Sequence, residues 1–443
     1  MGSVVLICPE PVRKVVQGIG IRFLELATEL VADHSVFLWV PNHDIPEEMP
    51  CQIMPFPDHQ FSNHLHGADV VIIHGHISDR YFDALERDNL GTGPPLVVDL
   101  YDPFLIENLH YTDILGDEIY YRDRKVLFRQ LARGDFFLVS SDAQRLYYLG
   151  ILTGMCRLSP QNYHQDSTLR SFIDVAPFGI RAINEKVLAN LPGKLKGVVP
   201  GIEPDDLVLF FGGVYDWYDP ALLLDVLDEV FKKIPKLRVI FSINPNQATT
   251  PQGKFREIQT FSKTKGWTGN HLFFIPWFAY KDRFAYLRDV DLALCLHEPS
   301  LETDLSFRTR ILDYMNLGIP IISTEGGEGS RILKLADAGI LIPPGAEVIL
   351  KETLIRLLSN RDERVAIGKK GQQWVRRQMT WEKSLVPLKA FCDSPRRMPH
   401  GQNDCCPISI VAKSTVKKLR WYWRQNGTSE LLRAIVRYLK RGF

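Results

Sequence analysis

The sequence lacks the features that mark several large classes of protein. Its seven cysteines are odd in number and include no Cys-x-x-Cys pair, so neither a disulfide framework nor a zinc site is expected. No stretch approaches the roughly 18–20 apolar residues that a membrane-spanning helix needs. The first residues show no charged start followed by an apolar run and a small-residue cleavage site, so we expect a cytoplasmic protein.

Motifs of several other enzyme classes are also missing. A Gly-x-Ser-x-Gly elbow and a P-loop are both absent, which argues against a hydrolase and a nucleoside triphosphatase. No Asp-x-Asp pair is placed to hold Mg²⁺ on a diphosphate. His74 and His76 have the spacing of metal ligands, but no carboxylate or cysteine cluster lies near them in the sequence. We therefore expect no metal and no other cofactor.

Short apolar runs alternate with segments of helical periodicity over nearly the whole chain. The first series of predicted strands is Val4–Cys8, Val36–Val40, Asp69–His74, Leu96–Leu100, Phe136–Ser140 and Ile173–Pro177. The second series is Leu207–Gly213, Leu237–Ser242, Leu272–Ile275, Asp291–Leu296, Pro320–Thr324 and Gly339–Ile342. Strands that are apolar on both faces and separated by helices form parallel sheets covered on both sides. The pattern predicts an α/β protein with two doubly wound, Rossmann-like domains.

Glycine and proline punctuate the chain between the two series, within Phe178–Asp205. We predict an N-terminal domain at residues 1–180, a linker at 181–205, a second domain at 206–392, a further linker at 393–412 and a tail at 413–443. Ligands of open α/β sheets bind outside the carboxyl ends of the strands. The cleft between the two domains is therefore the expected site.

The predicted tail, residues 413–443, concentrates the positive charge of the chain. Its nine bases against one acid give it a net charge of +8, which leaves −7 for the rest of a chain whose net charge is +1. Over Leu431–Lys440, helical plotting separates an apolar side from a basic side. Such a helix can lie on an anionic membrane surface, and the alternative is a helix docked on the protein. The acidic body offers no basic surface for nucleic acid, so none is expected as a partner.

The segment Leu301–Thr324 is the strongest candidate for binding chemistry. It follows a predicted strand, and we expect a helix to open near Ser306. Unsatisfied N–H groups at a helix start suit a diphosphate, and Arg308 and Arg310 can add charge-assisted hydrogen bonds. Asp313, one turn later, can accept the hydroxyl protons of a ribose. The alternative is a surface helix whose arginines simply pair with Asp313.

The same segment resembles the retaining GT-B glycosyltransferases of the family 4 type. Leu312-Asp-Tyr-Met-Asn-Leu-Gly-Ile-Pro-Ile-Ile322 matches the helix and strand after their acidic loop, with Asp313 at the ribose-binding position. A bacterial subgroup that makes cell-surface polysaccharides is also similar over Gly18–Arg22, Asp99–Pro103, Asp174–Gly179 and Tyr215–Pro220, so the resemblance spans about residues 1–390. It implies a GT-B fold, a nucleotide-sugar donor and transfer without a metal.

The chain departs from the family pattern at three places. The usual spacing would put the first acidic residue at Leu305, so Glu302 or Asp304 must replace it, and we favour Glu302. The cations that the wider family carries after the first strand of its second domain are missing. Phosphate would then be neutralised by Arg308 and Arg310. The family's catalytic histidine is missing as well, and Tyr101 and Asp102 lie in its neighbourhood.

Further candidates follow the ends of predicted strands. Gly18 and Gly20 can let the backbone approach the donor closely, although Gly-x-Gly is common in ordinary turns. Trp277 can stack on a nucleobase, and burial in the core is the alternative.

The candidate acceptor-binding residues lie in the first domain. Asp99 and Asp102 can bond acceptor hydroxyls or cap the helix that follows them. His74 and His76 are expected at the rim of the cleft, facing the acceptor.

These observations predict a glycosyltransferase that moves a sugar from a nucleoside-diphosphate sugar to a glycan or lipid-linked acceptor. The candidate catalytic residues are Glu302, Arg310 and Asp102. Two alternatives stay open: a catalytically degenerate GT-B protein that only binds sugar or nucleotide, and a peripheral membrane scaffold that acts through its tail.

Overall fold

A computed structural model describes residues 2–46, 49–56, 60–88, 93–245, 250 and 252–398, together with 420, 423, 424, 427, 428 and 430. Apart from these six positions, the predicted basic tail at 413–443 lies outside the described residues. Within the described part of the chain, no helix is both long and apolar enough to cross a membrane.

The first domain is built on a seven-stranded parallel sheet. Its strands are β1 (Ser3–Ile7), β2 (Ser35–Val40), β3 (Gln52–Pro55), β4 (Val70–His74), β5 (Leu96–Asp99), β6 (Phe136–Val139) and β7 (Ile173–Val175). They lie in the order β3-β2-β1-β4-β5-β6-β7. The helices are α1 (Gly18–Leu30), α2 (Phe61–His66), α3 (Asp79–Asp88), α4 (Phe104–Glu107), α5 (Thr112–Leu115), α6 (Glu118–Arg133), α7 (Asp142–Gly154), α8 (Pro160–Gln165) and α9 (Glu185–Asn190), with a 3₁₀ turn at Asn108–Tyr111.

The second domain contains a six-stranded parallel sheet. Its strands are β8 (Leu207–Gly213), β9 (Leu237–Ile243), β10 (Leu272–Pro276), β11 (Leu292–Cys295), β12 (Ile321–Thr324) and β13 (Gly339–Ile342), in the order β10-β9-β8-β11-β12-β13. Its helices are α10 (Pro220–Lys233), α11 (Gly253–Thr264), α12 (Arg283–Leu287), α13 (Leu301–Leu305), α14 (Arg310–Asn316), α15 (Gly327–Ala336), α16 (Glu347–Ser359), α17 (Arg361–Gln378), α18 (Trp381–Ser384) and α19 (Val386–Asp393), and a 3₁₀ turn covers Tyr280–Asp282.

All twelve predicted strands are present, and the predicted doubly wound architecture is confirmed. Strand β3 is the one that the pattern missed. Its sequence, Gln52-Ile-Met-Pro55, is short and ends in proline, and it lies at the edge of the sheet, where burial on both faces is not required.

Each sheet reverses its strand order next to its first strand, between β1 and β4 and between β8 and β11. Such switch points open a crevice at the carboxyl ends of the strands. The loops that follow β1, β4, β5 and β8 therefore meet the segment that follows β11, and they position the candidate site.

The C-terminal helices α18 and α19 return to the first domain. Phe391 stacks on Phe136 with ring centroids 4.8 Å apart, and Trp381 packs on Phe178 at 5.0 Å. Lys389 Nζ lies 2.9 Å from Glu29 Oε2 on α1. Residues 381–393 thus bury apolar surface against the first sheet and tie the two domains together.

The prediction that a helix begins near Ser306 is wrong. Ser300 caps the short helix α13, accepting a hydrogen bond from the Thr303 N–H at 3.1 Å, and α13 ends at Leu305. Ser306–Thr309 is not helical, and α14 begins at Arg310. A buried ion pair between Glu302 and Arg308 favours this interruption, because it holds the non-helical segment against α13.

Candidate active site between the two domains

A cavity of about 560 Å³ lies between the two sheets. Its first-domain wall comes from the segments after β1, β4 and β5, and its second-domain wall from those after β8, β10 and β11. Of the predicted site residues, those lining the cavity are Gly18, His76, Asp102, Trp277, Ser306, Arg308, Arg310 and Asp313. Those that do not line it are Gly20, His74, Asp99 and Glu302.

Glu302 is fully buried behind the cavity wall. Its carboxylate accepts from Arg308 Nη1 at 2.7 Å and Nη2 at 2.5 Å, and from Ser306 Oγ at 2.6 Å. Burial alone would lower the pKa of Arg308, but Tyr218 and Glu302 outweigh it and raise that pKa. The geometry makes Glu302 a partner that orients Arg308. The direct contact between Glu302 and a substrate that the sequence suggests stays a prediction, and the burial of Glu302 argues against it.

Arg310 joins the start of α14 to the end of β8. Its Nη1 donates to the carbonyl oxygens of Phe211 at 3.1 Å and Gly213 at 2.9 Å. The guanidinium also lies 4.5 Å from the centroid of the Tyr218 ring. Arg310 of α14 therefore places a cation beside the end of β8, where the segment that follows the strand has no lysine or arginine.

Asp313 and Arg283 form an ion pair on the wall of the cavity. Arg283 Nε lies 3.2 Å from Asp313 Oδ1, and its guanidinium stacks 3.6 Å from the centroid of the Tyr280 ring. Asp313 retains 28% of its side-chain exposure, so its carboxylate is still open to a ligand hydroxyl. Arg283 lines the cavity and was not predicted from the sequence, although it follows Trp277 by only six residues.

Trp277 lies against the end of β8. A Cβ placed on Gly213 would come within 2.6 Å of Trp277 Cζ3, so only glycine leaves room for the ring. Close by, Tyr215 and Trp217 stack with their centroids 4.9 Å apart. The ring of Trp217 also lies edge-to-face with that of Tyr111 in the first domain, with their centroids 6.1 Å apart. These rings form flat apolar faces that a base or a sugar can stack on.

Asp99, predicted to bind the acceptor, is fully buried against Arg22. Arg22 Nε and Nη2 lie 2.5 Å and 2.8 Å from its two carboxylate oxygens. Both side chains have no exposed surface. The structure therefore places Asp99 below the cavity, where it holds α1 to β5, and does not bring it to the acceptor side.

His74 and Asp102 form a second buried pair. His74 Nε2 lies 3.0 Å from Asp102 Oδ1, and only Asp102 reaches the cavity. Burial works against the charged form of His74, but Asp102 and Asp99 outweigh it and raise its pKa. Burial likewise opposes ionisation of Asp102, yet His74 lowers the pKa of Asp102. His74 thus orients a cavity carboxylate.

His76 reaches the cavity from the loop after β4. Its Nε2 lies 3.2 Å from Asp123 Oδ2, which also accepts from Asn108 Nδ2 at 2.7 Å. The ring stacks on Phe104 with centroids 4.6 Å apart. The histidine is held at the rim of the cavity and keeps 39% of its side chain exposed.

Gly18 and Gly20 lie in the first turn of helix α1. A Cβ on Gly18 would come within 2.6 Å of Tyr101 Oη. The Gly20 N–H donates to Glu10 Oε2 at 2.8 Å. Gly18 therefore leaves room for the Tyr101 hydroxyl at the cavity, and Gly20 helps to hold the Glu10 side chain in place.

Glu10 and Glu107 are further cavity residues that the sequence reasoning missed. Burial raises the pKa of Glu10, against the lowering effect of the Gly20 N–H. Glu10 follows β1 and could have been noticed from that placement. Glu107 ends α4 and belongs to no recognisable motif, so only the fold reveals it. Among the described residues, no group of three His, Cys, Asp or Glu could hold a metal ion.

Residues 205–360 match the family described as Glycosyl transferases group 1. This segment covers β8 to α16 of the second domain and contains Trp277, Arg308, Arg310 and Asp313. A comparison with curated proteins finds no match.

Several solved structures share the fold of the chain. HepE from Anabaena, in complex with UDP and glucose, superimposes with a TM-score of 0.64 at 13% identity, covering 89% of this chain and 100% of HepE. Sucrose-phosphate synthase from Thermosynechococcus elongatus gives 0.59 at 13% identity, covering 88% and 98%. WaaG, a glycosyltransferase involved in lipopolysaccharide biosynthesis, gives 0.55 at 16% identity, covering 88% and 98%.

The predicted GT-B fold and the resemblance to group 1 glycosyltransferases are thereby confirmed. The family match and the fold together identify the chain as a glycosyltransferase.

Proposed function

We propose that this glycosyltransferase uses a nucleoside-diphosphate sugar as donor and a hydroxyl of a glycan or lipid-linked molecule as acceptor. The observation that carries the proposal is the second-domain wall of the cavity. It combines an aromatic ring (Trp277), two guanidinium groups (Arg308 and Arg310) and a carboxylate (Asp313). These are the groups that a base, a diphosphate and a ribose require. HepE, which has the same fold, binds UDP and glucose.

In this proposal Trp277 stacks on the base and Asp313, held by Arg283, accepts ribose hydroxyls. Arg308 and Arg310 face the diphosphate. Both are fixed before the donor arrives, Arg308 by Glu302 and Arg310 by backbone carbonyls. Preorganised cations stabilise charge that develops on a leaving group without reorganising during the reaction.

Transfer without a metal and with retention of anomeric configuration belongs to the same proposal. The cations at the cavity support the first point, because they can neutralise a diphosphate directly. Retention rests on the family resemblance alone.

The first-domain wall suggests the character of the acceptor. Asp102 and His76 offer polar contacts, and Leu115 and Ile119 line the cavity beside them. Leu115 is 48% exposed. A sugar hydroxyl attached to an apolar carrier would suit this combination, as in cell-surface polysaccharide synthesis.

The proposal is tested by thermal shift and nucleotide release with a panel of UDP-, GDP-, dTDP- and ADP-sugars. One of these donors should stabilise the protein and be turned over with release of its nucleotide. Trp277→Ala should weaken the binding of that nucleotide roughly tenfold or more, because the stacking contact is lost. Leu301→Ala, an exposed apolar residue outside the cavity, is the control. Absence of binding and release with every donor would refute the proposal.

A catalytically degenerate binding protein is the second candidate. The observation that favours it is that Arg308 and Arg310 already have protein partners. Such a protein would bind a nucleotide but release none. The same panel separates the two functions, because stabilisation without turnover at any pH would identify a binding protein.

We also propose that the basic tail attaches the protein to an anionic membrane surface, with the α/β part in the cytoplasm. The support is the charge of the tail and its apolar side in the sequence. Cosedimentation with vesicles containing anionic lipid should be lost when residues 413–443 are removed, and it should weaken with salt. Equal binding by the truncated protein would contradict the proposal.

A further inference from the structure

Gln144, a fully buried residue in the first turn of α7, reaches the second domain with its side-chain amide. Its Nε2 donates to the carbonyl oxygen of Tyr101 at 2.8 Å and to that of Leu305 at 2.8 Å. Tyr101 directly precedes Asp102, which lines the cavity from the first domain. Leu305 directly precedes Ser306, which lines the cavity from the second domain. One amide therefore joins the two backbones that carry these cavity residues.

Both ends of the Gln144 amide are hydrogen-bonded. Its NH₂ group has two hydrogens, one for each of the two carbonyl oxygens, and its Oε1 accepts from the Ser140 N–H at 2.8 Å. Turning the amide over would place the NH₂ group against that N–H, so the Ser140 contact fixes its orientation. The Ser140 hydroxyl also donates to the Tyr101 carbonyl oxygen at 2.8 Å. The amide is thus set to donate to both domains at once.

The first domain holds Gln144 in place. Ser141 caps α7 by accepting a hydrogen bond from the Gln144 N–H at 3.1 Å, and α7 packs against β6, β7 and α13. The carbonyl groups at a helix end have no partner within their helix, and Gln144 supplies one for Leu305 at the end of α13. The chain then continues into Ser306–Arg308, which Glu302 binds back to α13. A shift of Leu305 would therefore move the cavity residues that follow it.

We propose that Gln144 is a positioning residue that keeps the two walls of the cavity in a fixed relative position for sugar transfer. The inference rests on the proposed function, in which the acceptor binds near Asp102 and the donor diphosphate lies at Ser306–Arg310. Transfer requires the reacting atoms to be aligned, and a misplacement of about 1 Å can cost roughly a hundredfold in rate. Gln144 does not line the cavity, so we assign its effect to the two backbones that it joins.

A positioning role separates turnover from donor binding. Two groups proposed to hold the donor are fixed within the second domain, Trp277 against Gly213 and Asp313 by Arg283. Loss of the Gln144 hydrogen bonds should therefore leave the donor Kd close to its wild-type value. It should lower kcat, because the alignment of the two substrates matters in the transition state.

Two substitutions remove the hydrogens of the amide in different ways. Gln144→Leu removes all of its polar groups. Gln144→Glu keeps the length of the side chain and an oxygen for the Ser140 N–H, but an ionised carboxylate has no hydrogen for either carbonyl oxygen. Both variants should lower kcat by roughly 10–100-fold with the donor that the wild type turns over best. The donor Kd is measured by calorimetric titration, at a temperature at which unfolding curves show that each variant is folded.

Asn162→Leu is the matched control, because Asn162 makes the same kinds of hydrogen bond within the first domain. This buried amide on α8 accepts from the Ser159 N–H at 2.6 Å and donates to the Arg157 carbonyl oxygen at 3.2 Å. The control should lose stability and keep the kcat of the wild type. If the Gln144 variants also keep that kcat, or if their donor affinity falls together with kcat, the positioning role is overturned.

Hydrogen exchange followed by mass spectrometry needs no donor and therefore separates this inference from the proposed function. Gln144→Leu should speed exchange in residues 301–309, where the bond between the domains is lost, and Asn162→Leu should leave that segment as in the wild type. Unchanged exchange there in Gln144→Leu would overturn the inference even if nucleotide sugars are turned over. Faster exchange in a protein that turns over no nucleotide sugar would uphold the link between the two walls and refute the proposed function.

Discussion

Replacing Glu302 with alanine tests whether this residue acts on the substrate or holds Arg308. The Arg308 side chain is 7% exposed and Glu302 is fully buried, so the change leaves a guanidinium in the protein interior without its carboxylate. It also removes the acceptor of the Ser306 hydroxyl. The two effects act on the same short segment between α13 and α14.

The size of the effect follows from the burial of the pair. Removing one partner of a buried ion pair costs about 3–5 kcal/mol, because the other charge stays uncompensated. For a domain of about 190 residues, this lowers the Tm by roughly 6–20 °C. Replacing both Glu302 and Arg308 with methionine removes both charges and should restore most of the Tm.

Differential scanning calorimetry of the single and double variants checks this reasoning. Asp205→Asn, which breaks an exposed pair with Lys236, serves as the control and should leave the Tm unchanged. A Glu302→Ala protein that melts like the wild type but has lost turnover would refute the structural role. Glu302 would then be a catalytic residue, as the sequence pattern first suggested.

Three further changes have defined outcomes. Gly213→Ala should displace Trp277 and weaken roughly tenfold, by calorimetric titration, the binding of the nucleotide that the wild type binds, since the new Cβ would lie 2.6 Å from the ring; unchanged affinity would contradict the stacking role. Burial lowers the pKa of His297 from 6.5 to about 4. The stability due to its neutral form is present above pH 6.5 and is lost as pH falls towards 4, so urea unfolding should show a loss of about 2–3 kcal/mol that His297→Gln lacks. Gln144→Leu removes a donor to the Leu305 carbonyl between the domains and should cost roughly 2–4 kcal/mol in the same assay, whereas a wild-type value would show that this contact is dispensable.

Part of the second-domain wall of the cavity could be predicted from the sequence because it follows one continuous segment. Ser306, Arg308, Arg310 and Asp313 lie within eight residues, and all four line the cavity. Because these residues are so close in the chain, they lie near one another whatever the rest of the fold. Trp277 could be predicted as a cavity residue for a similar reason, since it directly follows a buried strand.

The first-domain wall of the cavity could not be predicted in the same way. Asp99 and Asp102 are three residues apart at the end of one strand, yet Arg22 buries the first and His74 orients the second towards the cavity. Which carboxylate meets a cation depends on residues more than twenty positions away. Glu107 lines the same cavity as Ser306, which comes about two hundred residues later in the chain, so only the fold brings the two together.

The sequence by itself determined the two parallel sheets, because strands buried on both faces must be continuously apolar and separated by helices. It also determined the segment Ser306–Asp313, in which the groups that line the cavity are neighbours in the chain. The tertiary structure alone decided which charges are paired in the interior and which face the cavity. Pairing depends on distances between side chains from different elements, and burial makes those distances decisive by removing the water that would otherwise screen each charge.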